Sequence, residues 1–552
     1  MTRRRANLSI LLVSLLAVAA CSGSGPNGPR DSSGTLVIEV ERPDGTPVAG
    51  ASILLMPGAR AATTNAQGEA RLTQVAAGDY IITTRLGGGN PTNTSVAFRD
   101  PFPAAVRVTL RSGLESIQVH WDGRAVAWGA PEPLTATVSG ASGGEIVWVS
   151  LDDPFLGQPT ELGRGAAITT AALRPGATRV EARYVVSGTI VARATVVVTA
   201  TYRQTWNVTR EALVPYPDNT VGDVWVHEDH ALLARRGAGG ISIIQLNGAI
   251  GEVGRFGEGM GLFTQDIVAS ANDIAYVANE RRELPFSVYL VDIASPGAPR
   301  QVGVVPTSIA STAHTVWHDN GVLYVASPFV SQAIHLFDVA DPAAPRELGR
   351  VNATRGNAHD TYARDGVMYG AYLPLSAGTQ GELVIANVTN PAAPAPRSFT
   401  TYPGAFTHSA WLTVDGRYLY LADETINAPI RIYDVANPAQ PVLAGTYRSR
   451  LGAVPHHFQV LNGTRAYLTN YKHGVEVLDI SNPVTPRLIG FFDTLEGIQA
   501  DFQEDGPAGG LVPADEKGFH QYQGAWGVHW TSDGRFVVSD MQTGLHVLRF
   551  TP

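Results

Sequence analysis

The chain has 552 residues, a formal charge of −9, 44% hydrophobic and 16% charged residues. That apolar supply argues against a disordered chain, and an acidic balance with no basic run beyond Arg3-Arg4-Arg5 argues against a nucleic-acid partner. One cysteine, Cys21, excludes internal disulfides and cysteine-rich metal clusters, while 58 Gly and 36 Pro point to a turn-rich, strand-built protein.

The first element is an address. After the three arginines, Leu8 to Ala20 is an apolar run interrupted only by Ser9 and Ser14. As a helix it would span ~20 Å, short of the ~30 Å hydrocarbon core, so it reads as a signal peptide over residues 1–20. The run ends Val18-Ala19-Ala20-Cys21, which resembles a bacterial lipobox. The resemblance implies cleavage before Cys21 and lipidation of its thiol. The alternative is an ordinary secretory signal with a chance cysteine. Processing would remove three Arg and no acid, taking the charge from −9 to −12. Residues 21–34, rich in Ser, Gly and Pro, read as a flexible tether. The expected location is the cell envelope, lipid-anchored and extracytoplasmic. Ser22 in place of Asp favours the outer membrane if the organism is Gram-negative.

Residues 35–112 alternate apolar and polar in short runs, as in Leu36-Val37-Ile38-Glu39-Val40 and Tyr80-Ile81-Ile82-Thr83-Thr84, separated by Gly, Pro and Asn. Period-two alternation at this spacing predicts an antiparallel sandwich. Pro43 to Ala51, Thr63 to Gly68 and Gly78-Asp79-Tyr80 resemble successive landmarks of the carboxypeptidase regulatory-like domain. That implies a spacer or binding sandwich without catalytic residues. Residues 113–202 continue the all-β texture, with Trp148 placed on a strand as a core plug. They resemble a bacterial Ig-like domain. The Cys…Trp…Cys pattern of antibody domains is absent.

From residue 203 a unit repeats: an apolar strand, Asp-x-x-x-Pro-x-x-Pro, then another strand. It begins at Asp292, Asp338, Asn387, Asp434 and Asp479, at spacings of 46, 49, 47 and 45 residues. Degenerate copies at Ile241 to Leu246 and Leu545 to Phe550 bring the number to seven. Such a period with several short strands per unit predicts an all-β fold, a seven-bladed β-propeller over residues 203–552, preceded by two β-sandwich domains. Val288-Tyr289-Leu290-Val291-Asp292 and Val475-Glu476-Val477-Leu478-Asp479 resemble the LVIVD repeat. The wider pattern resembles the choice-of-anchor B type of secreted propeller, which implies location and fold but no chemistry. The last unit lacks an outer strand. Arg203 to Val208, spare at the other end, is expected to supply it and so remove an open edge.

Each unit also places a polar residue about ten positions before an apolar or aromatic one. His314, His359 and His457 precede Tyr324, Tyr369 and Tyr467 by ten, and His408 precedes Tyr420 by twelve. Asp266 precedes Tyr276, and Asp223 precedes Leu233, by ten, while Trp526 holds the place in the last unit. Equivalent positions on inner strands converge on a channel mouth, so Asp223, Asp266, His314, His359, His408 and His457 are the candidate site. Imidazoles and carboxylates there suit a divalent metal ion, an organic ligand, or hydrogen bonds that merely join neighbouring blades. Sequence leaves open which of His456 and His457 points inward.

Residues 494–523 form an insertion with six acids, read as a solvated loop, a lid or a calcium site. Nucleophile-elbow, His-Glu-x-x-His and phosphate-loop motifs are absent, and no catalytic residue is assigned. The leading functional expectation is a lipoprotein that binds a protein or glycan partner through its propeller. The competing one is a metal-dependent hydrolase or lyase at the channel mouth.

Overall fold

In a computed structural model, each Asp-x-x-x-Pro-x-x-Pro segment turns the chain between the third and fourth strands of an antiparallel sheet. The described residues are 33–495 and 522–552, apart from 42–46, 88–90, 99–104, 110–115, 141–142, 152–158, 174–175, 217–219, 238, 307–311, 328–331 and 377. The signal peptide, Cys21, Pro43 to Thr46 and most of the acidic insertion lie outside them.

The repeated Asp makes the turn. Its carboxylate accepts the backbone N–H two residues on: Ala294 to Asp292 at 3.0 Å, Ala340 to Asp338 at 3.1 Å, Ala436 to Asp434 at 3.0 Å, Ser481 to Asp479 at 2.9 Å. Asn387 does the same for Thr389 at 3.0 Å. Carboxylate and amide are interchangeable here because each presents one acceptor oxygen. In three units an arginine eight residues on adds an ion pair: Arg300 with Asp292, Arg346 with Asp338, Arg487 with Asp479.

A glycine eleven residues after the Asp faces the next sheet. An added Cβ would come within 1.8 Å of the Pro342 carbonyl oxygen at Gly303, and within 2.1 Å of that of Val484 at Gly445. Gly254 and Gly349 meet Pro296 and Pro391 in the same way. In the fourth sheet Ser398 takes the position and its hydroxyl donates to the Pro438 carbonyl at 2.9 Å. The Pro-bearing turn of one sheet therefore seats its backbone against the outer strand of the sheet before it.

The turn gives a first expected result. The backbone N–H of Ser481, Ser481 itself and Arg487 hold the Asp479 carboxyl down at about 2. A depressed folded pKa stabilises above the unfolded value and loses that contribution as pH falls through the folded one. The exposure of Arg487 screens the pair, so the contribution is about 1 kcal/mol. Asp479→Ala should lose about that much at pH 7 and much less at pH 2. Asp479→Asn, imitating Asn387, should lose under half as much. Urea midpoints at the two pH values check both, and equal losses for Ala and Asn would overturn the account.

The described residues between 208 and 550 form seven antiparallel sheets. Six run from inner to outer strand in chain order, beginning at Val221–His227, Ile267–Ala269, Thr315–Asp319, Asn357–Arg364, Thr407–Leu412 and Phe458–Asn462. The seventh is Ala525–Trp530, Arg535–Asp540 and Gly544–Phe550, with Val208–Pro215 as its outer strand. Each innermost strand contacts the innermost strand of the next sheet, and the first contacts the seventh, so the cycle closes as a β-propeller-like ring. Tyrosines of the second strands are buried between sheets: Tyr276 shares a core with Val316 and Leu323, and Tyr467 stacks on Phe536 at 4.4 Å.

The closing strand departs from expectation. It is Val208–Pro215, antiparallel to Gly544–Phe550, rather than Arg203 to Val208. Thr205–Trp206 instead pairs with Phe491 and Phe492, adding a fifth strand to the sixth sheet. Asn207, at φ +52°, redirects the chain between the two.

Residues 116–138 and 142–201 fold in the same compact unit as the ring. They form a three-stranded sheet and a five-stranded one that contains Glu145–Ser150, Gly176–Val186 and Thr189–Thr201. Trp148 is fully buried and its indole N–H donates to the Gly165 carbonyl at 2.9 Å. The other unit, residues 1–115 with Ser139–Ala141, holds a three-stranded and a four-stranded sheet. Leu36, Ile38, Ile53, Leu55, Leu72, Ile82 and Phe98 share its core. Among the described residues no helix is long and apolar enough to cross a membrane.

Candidate functional site

Four of the seven inner strands carry their residue within an irregular step. The register shifts between Val221 and Val224, Ala358 and Asp360, Thr407 and Ser409, and Ala525 and Val528. An extra residue re-aims its side chain out of the pleat. Asp223, His359, His408 and Trp526 all lie within these steps, so the bulge turns them toward the axis.

The six candidates lie near one another in two adjoining groups. They divide into an imidazole arc and a carboxylate cluster. His314, His359 and His408 lie side by side, with ring centroids 4.5 and 4.3 Å apart. His456 continues the arc 4.3 Å from His408, and Trp526 follows at 4.5 Å. His457 leaves it, and its Nδ1 pairs with Asp223 Oδ1 at 3.2 Å. Asp266 and Asp360 complete that second group.

Buried charge decides the protonation. Burial lowers the His457 imidazole, but Asp223, Asp360 and Asp266 outweigh it and raise it to about 9, so it is a cation at neutral pH. Burial, then repulsion from Asp223, pushes Asp266 well above the ordinary carboxylate range. Burial lifts Asp360 to about 6. Burial also pushes His359, His408 and His456 well below their ordinary value, keeping them neutral.

The same residues tie sheet to sheet. Asp223 donates its N–H to the Gln265 carbonyl at 2.8 Å, and Val316 donates its N–H to Asp266 Oδ2 at 2.7 Å. Thr315 Oγ1 donates to the His359 carbonyl at 2.5 Å, and His359 Nδ1 to that of His408 at 3.3 Å. Ser409 Oγ donates to the His456 carbonyl at 2.6 Å, and His456 Nδ1 to that of Trp526 at 2.7 Å. The belt crosses six of the seven junctions. At the seventh, an added Cβ on Gly527 would meet Asp223 Oδ1 at 1.7 Å, so glycine is what admits the carboxylate.

Below the carboxylates, Trp225, Trp317, Tyr362 and Trp411 plug the channel, with Trp317 to Tyr362 at 4.7 Å and Trp317 to Trp411 at 5.4 Å. The space left beside Asp223, Asp266, Asp360 and His457 is about 40 Å³, enough for a few waters. Above, strand-end residues fold over the arc. Glu280 pairs with His314, and Glu424 Oε2 stands 3.7 Å from His408 Nε2. Tyr471 donates its hydroxyl to Glu424 Oε1 at 2.5 Å. Burial raises the Glu424 carboxyl to about 7. Burial also raises that of Glu280, but His314 and Gln265 outweigh it and hold it low.

Asp360, Glu280 and Glu424 had no part in the sequence expectation, which left His456 open beside His457. Asp360 and His456 adjoin residues that it named, and only the bulge decides which neighbour points inward. Glu280 and Glu424 follow inner-hairpin strands, fourteen and sixteen residues after Asp266 and His408, and occur in only two units.

A larger opening lies elsewhere in the same unit. A cleft of about 1160 Å³ runs between residues 131–171 and the fifth and sixth sheets. Arg164, Arg448, Arg450, Arg465 and Arg487 line it against the single acid Glu161. Arg164 is held by Glu161 and Glu145, Arg487 by Asp479, and Arg450 by Glu476. Arg465 lies over the Phe550 ring at 4.5 Å, and Arg448 donates to the Asn427 carbonyl at 2.6 Å. Neither has a carboxylate within ion-pair distance among the described residues.

The LVIVD repeat model matches residues 408–449 and 460–494. No curated protein matches the chain significantly. Among solved structures, the β-propeller domain of Cps50 (Swd1) from Myceliophteria thermophila is similar at 12% identity and TM-score 0.44, over 62% of this chain and 99% of that one. A candidate 6-phosphogluconolactonase from Bacteroides fragilis is similar at 12% identity and TM-score 0.40, over 58% and 86%. Neither likeness carries an argument about function.

Proposed function

We propose that the chain is a lipid-anchored, extracytoplasmic binding protein of the choice-of-anchor B type. In this reading a seven-bladed propeller and the Ig-like sandwich against it form the binding body, and the carboxypeptidase regulatory-like sandwich spaces that body from the membrane. The observation that carries the binding reading is the contrast of two volumes. The channel holds about 40 Å³ beside its carboxylates, too little for a substrate, whereas the arginine-lined cleft offers about 1160 Å³. Guanidinium groups without carboxylate partners in a chain of net charge −9 favour an acidic ligand, and an anionic envelope glycan fits. For the competing metal-dependent hydrolase or lyase at the channel mouth, no opening comparable to the cleft lies beside the candidate residues among the described residues.

Two experiments test this. Cys21→Ser should abolish fatty-acid labelling and release the chain from membranes, and continued labelling would refute the anchor. The purified chain should bind acidic polysaccharide saturably. The double change Arg448→Glu and Arg465→Glu should weaken that binding about tenfold or more, as loss of one charged hydrogen bond already would. Unchanged affinity in the double variant, or no saturable binding at all, would overturn the cleft as the site.

A further inference from the structure

Beyond binding in the cleft, the imidazole arc has an unexplained feature. His408 is 2% exposed, its Nδ1 is buried without a hydrogen-bond partner, and its Nε2 is too far from Glu424 to bond. A buried polar ring left in this state costs free energy unless something else engages it. His359 is 4% exposed. Its Nδ1 faces a carbonyl, which can only accept, so the proton sits on Nδ1 and Nε2 keeps its lone pair.

The geometry points to a mononuclear site for a divalent first-row transition metal, held by His359, His408 and Glu424. One ring nitrogen from each imidazole and one carboxylate oxygen lie within 4.8 Å of one another. Ligands at ~2.1 Å in a tetrahedral shell are about 3.4 Å apart, so small side-chain rotations close the set. Two imidazoles and one carboxylate suit zinc or iron(II) rather than calcium or magnesium, which take oxygen ligands. Three protein ligands leave a position for water or an anion. The surroundings have the order expected of a metal shell. The His408 carbonyl fixes the His359 tautomer, and the Tyr471 hydroxyl holds the Glu424 carboxylate. His456, whose Nε2 is also buried without a partner, stands next to His408 as a reserve ligand.

A second group, His227, Glu228 and Asp273, has similar spacing. It is partly exposed, and His227 Nε2 is already engaged by Asp273 at 2.7 Å. It serves as the control. The full-length chain, stripped with chelator, is to be dialysed against zinc or cobalt(II) and then metal-free buffer. The expected result is about one equivalent of zinc by elemental analysis and visible cobalt d–d bands of tetrahedral intensity. His408→Gln and Glu424→Gln should each cut retention at least tenfold, while His227→Ala keeps it. Zinc should also raise the melting temperature of the wild type and not of Glu424→Gln. Less than about 0.1 equivalent in folded wild type, or full retention in both ligand variants, would refute the site. Arg448 and Arg465 contribute no ligand to it, so its failure and that of the cleft reading are separable.

Discussion

Glu476→Ala is expected to lose about 3–5 kcal/mol, the range for removing one partner of a buried ion pair. Glu476 and Arg450 have 0% and 1% side-chain exposure and meet at 3.1 Å. The carboxylate also accepts from the hydroxyls of Tyr447 at 2.9 Å and Ser449 at 2.6 Å. Arg450 lies between two rings, 4.3 Å from Trp128 and 4.2 Å from Phe491. Trp128 belongs to residues 116–201 and Phe491 to the sixth sheet, so this cation pins one onto the other. Without Glu476 the guanidinium stays in that aromatic clamp without its bonded carboxylate. Glu476→Gln should lose less, since an acceptor oxygen remains. The pair Glu476→Leu with Arg450→Met should recover most of the loss, because apolar replacement removes both desolvation penalties. Urea unfolding followed by tryptophan fluorescence reads all three. A loss under 1 kcal/mol for Glu476→Ala would show that the clamp is not buried in solution.

The repeating unit was legible because its parts are local. An Asp accepting the N–H two residues on and two prolines fixing φ impose the same turn wherever they occur, as at Asp292 and Asp479. The glycine eleven residues later is equally periodic, yet its reason lies in another sheet, where the Pro342 carbonyl faces Gly303. The candidate site was legible to within one residue. Spacing to a following tyrosine, or to Leu233 in the first sheet, singled out Asp223, Asp266, His314, His359 and His408. In the sixth sheet it selected His457, while the arc continues through His456. A bulge shifts the side-chain period by one, and nothing in a single strand announces it. Glu424 and the arginine cleft were not legible, because each depends on elements far apart in sequence meeting in space.

Replacing Val208–Pro215 by an eight-residue Gly-Ser segment should destabilise the ring by on the order of 5 kcal/mol. This strand pairs with Gly544–Phe550 from Val208↔Phe550 to Pro215↔Gly544, so it joins the two ends of the ring by backbone pairing. Its loss removes those ladder hydrogen bonds, the burial of Val208 against Phe492 and Leu548, and the packing of Ala212 and Val214 on Leu545 and Val547. It also bares a long apolar edge, Leu545 to Phe550, which is a template for pairing with another chain. Two readouts should therefore change together: a lower urea midpoint, and concentration-dependent association on a sizing column. The converse variant strengthens the test. Thr209, exposed, pairs with the half-buried Arg549, so Thr209→Cys with Arg549→Cys can form a cross-link, with Cys21→Ser leaving no other thiol. Closing a loop of more than three hundred residues should stabilise by about 2–4 kcal/mol when oxidised and by nothing when reduced. If the ring melted unchanged without its closing strand, and the oxidised cross-link gave no gain, the seventh sheet would not depend on chain ends meeting. Packing between the first and seventh inner strands, where Asp223 seats against Gly527, would then be what closes the cycle.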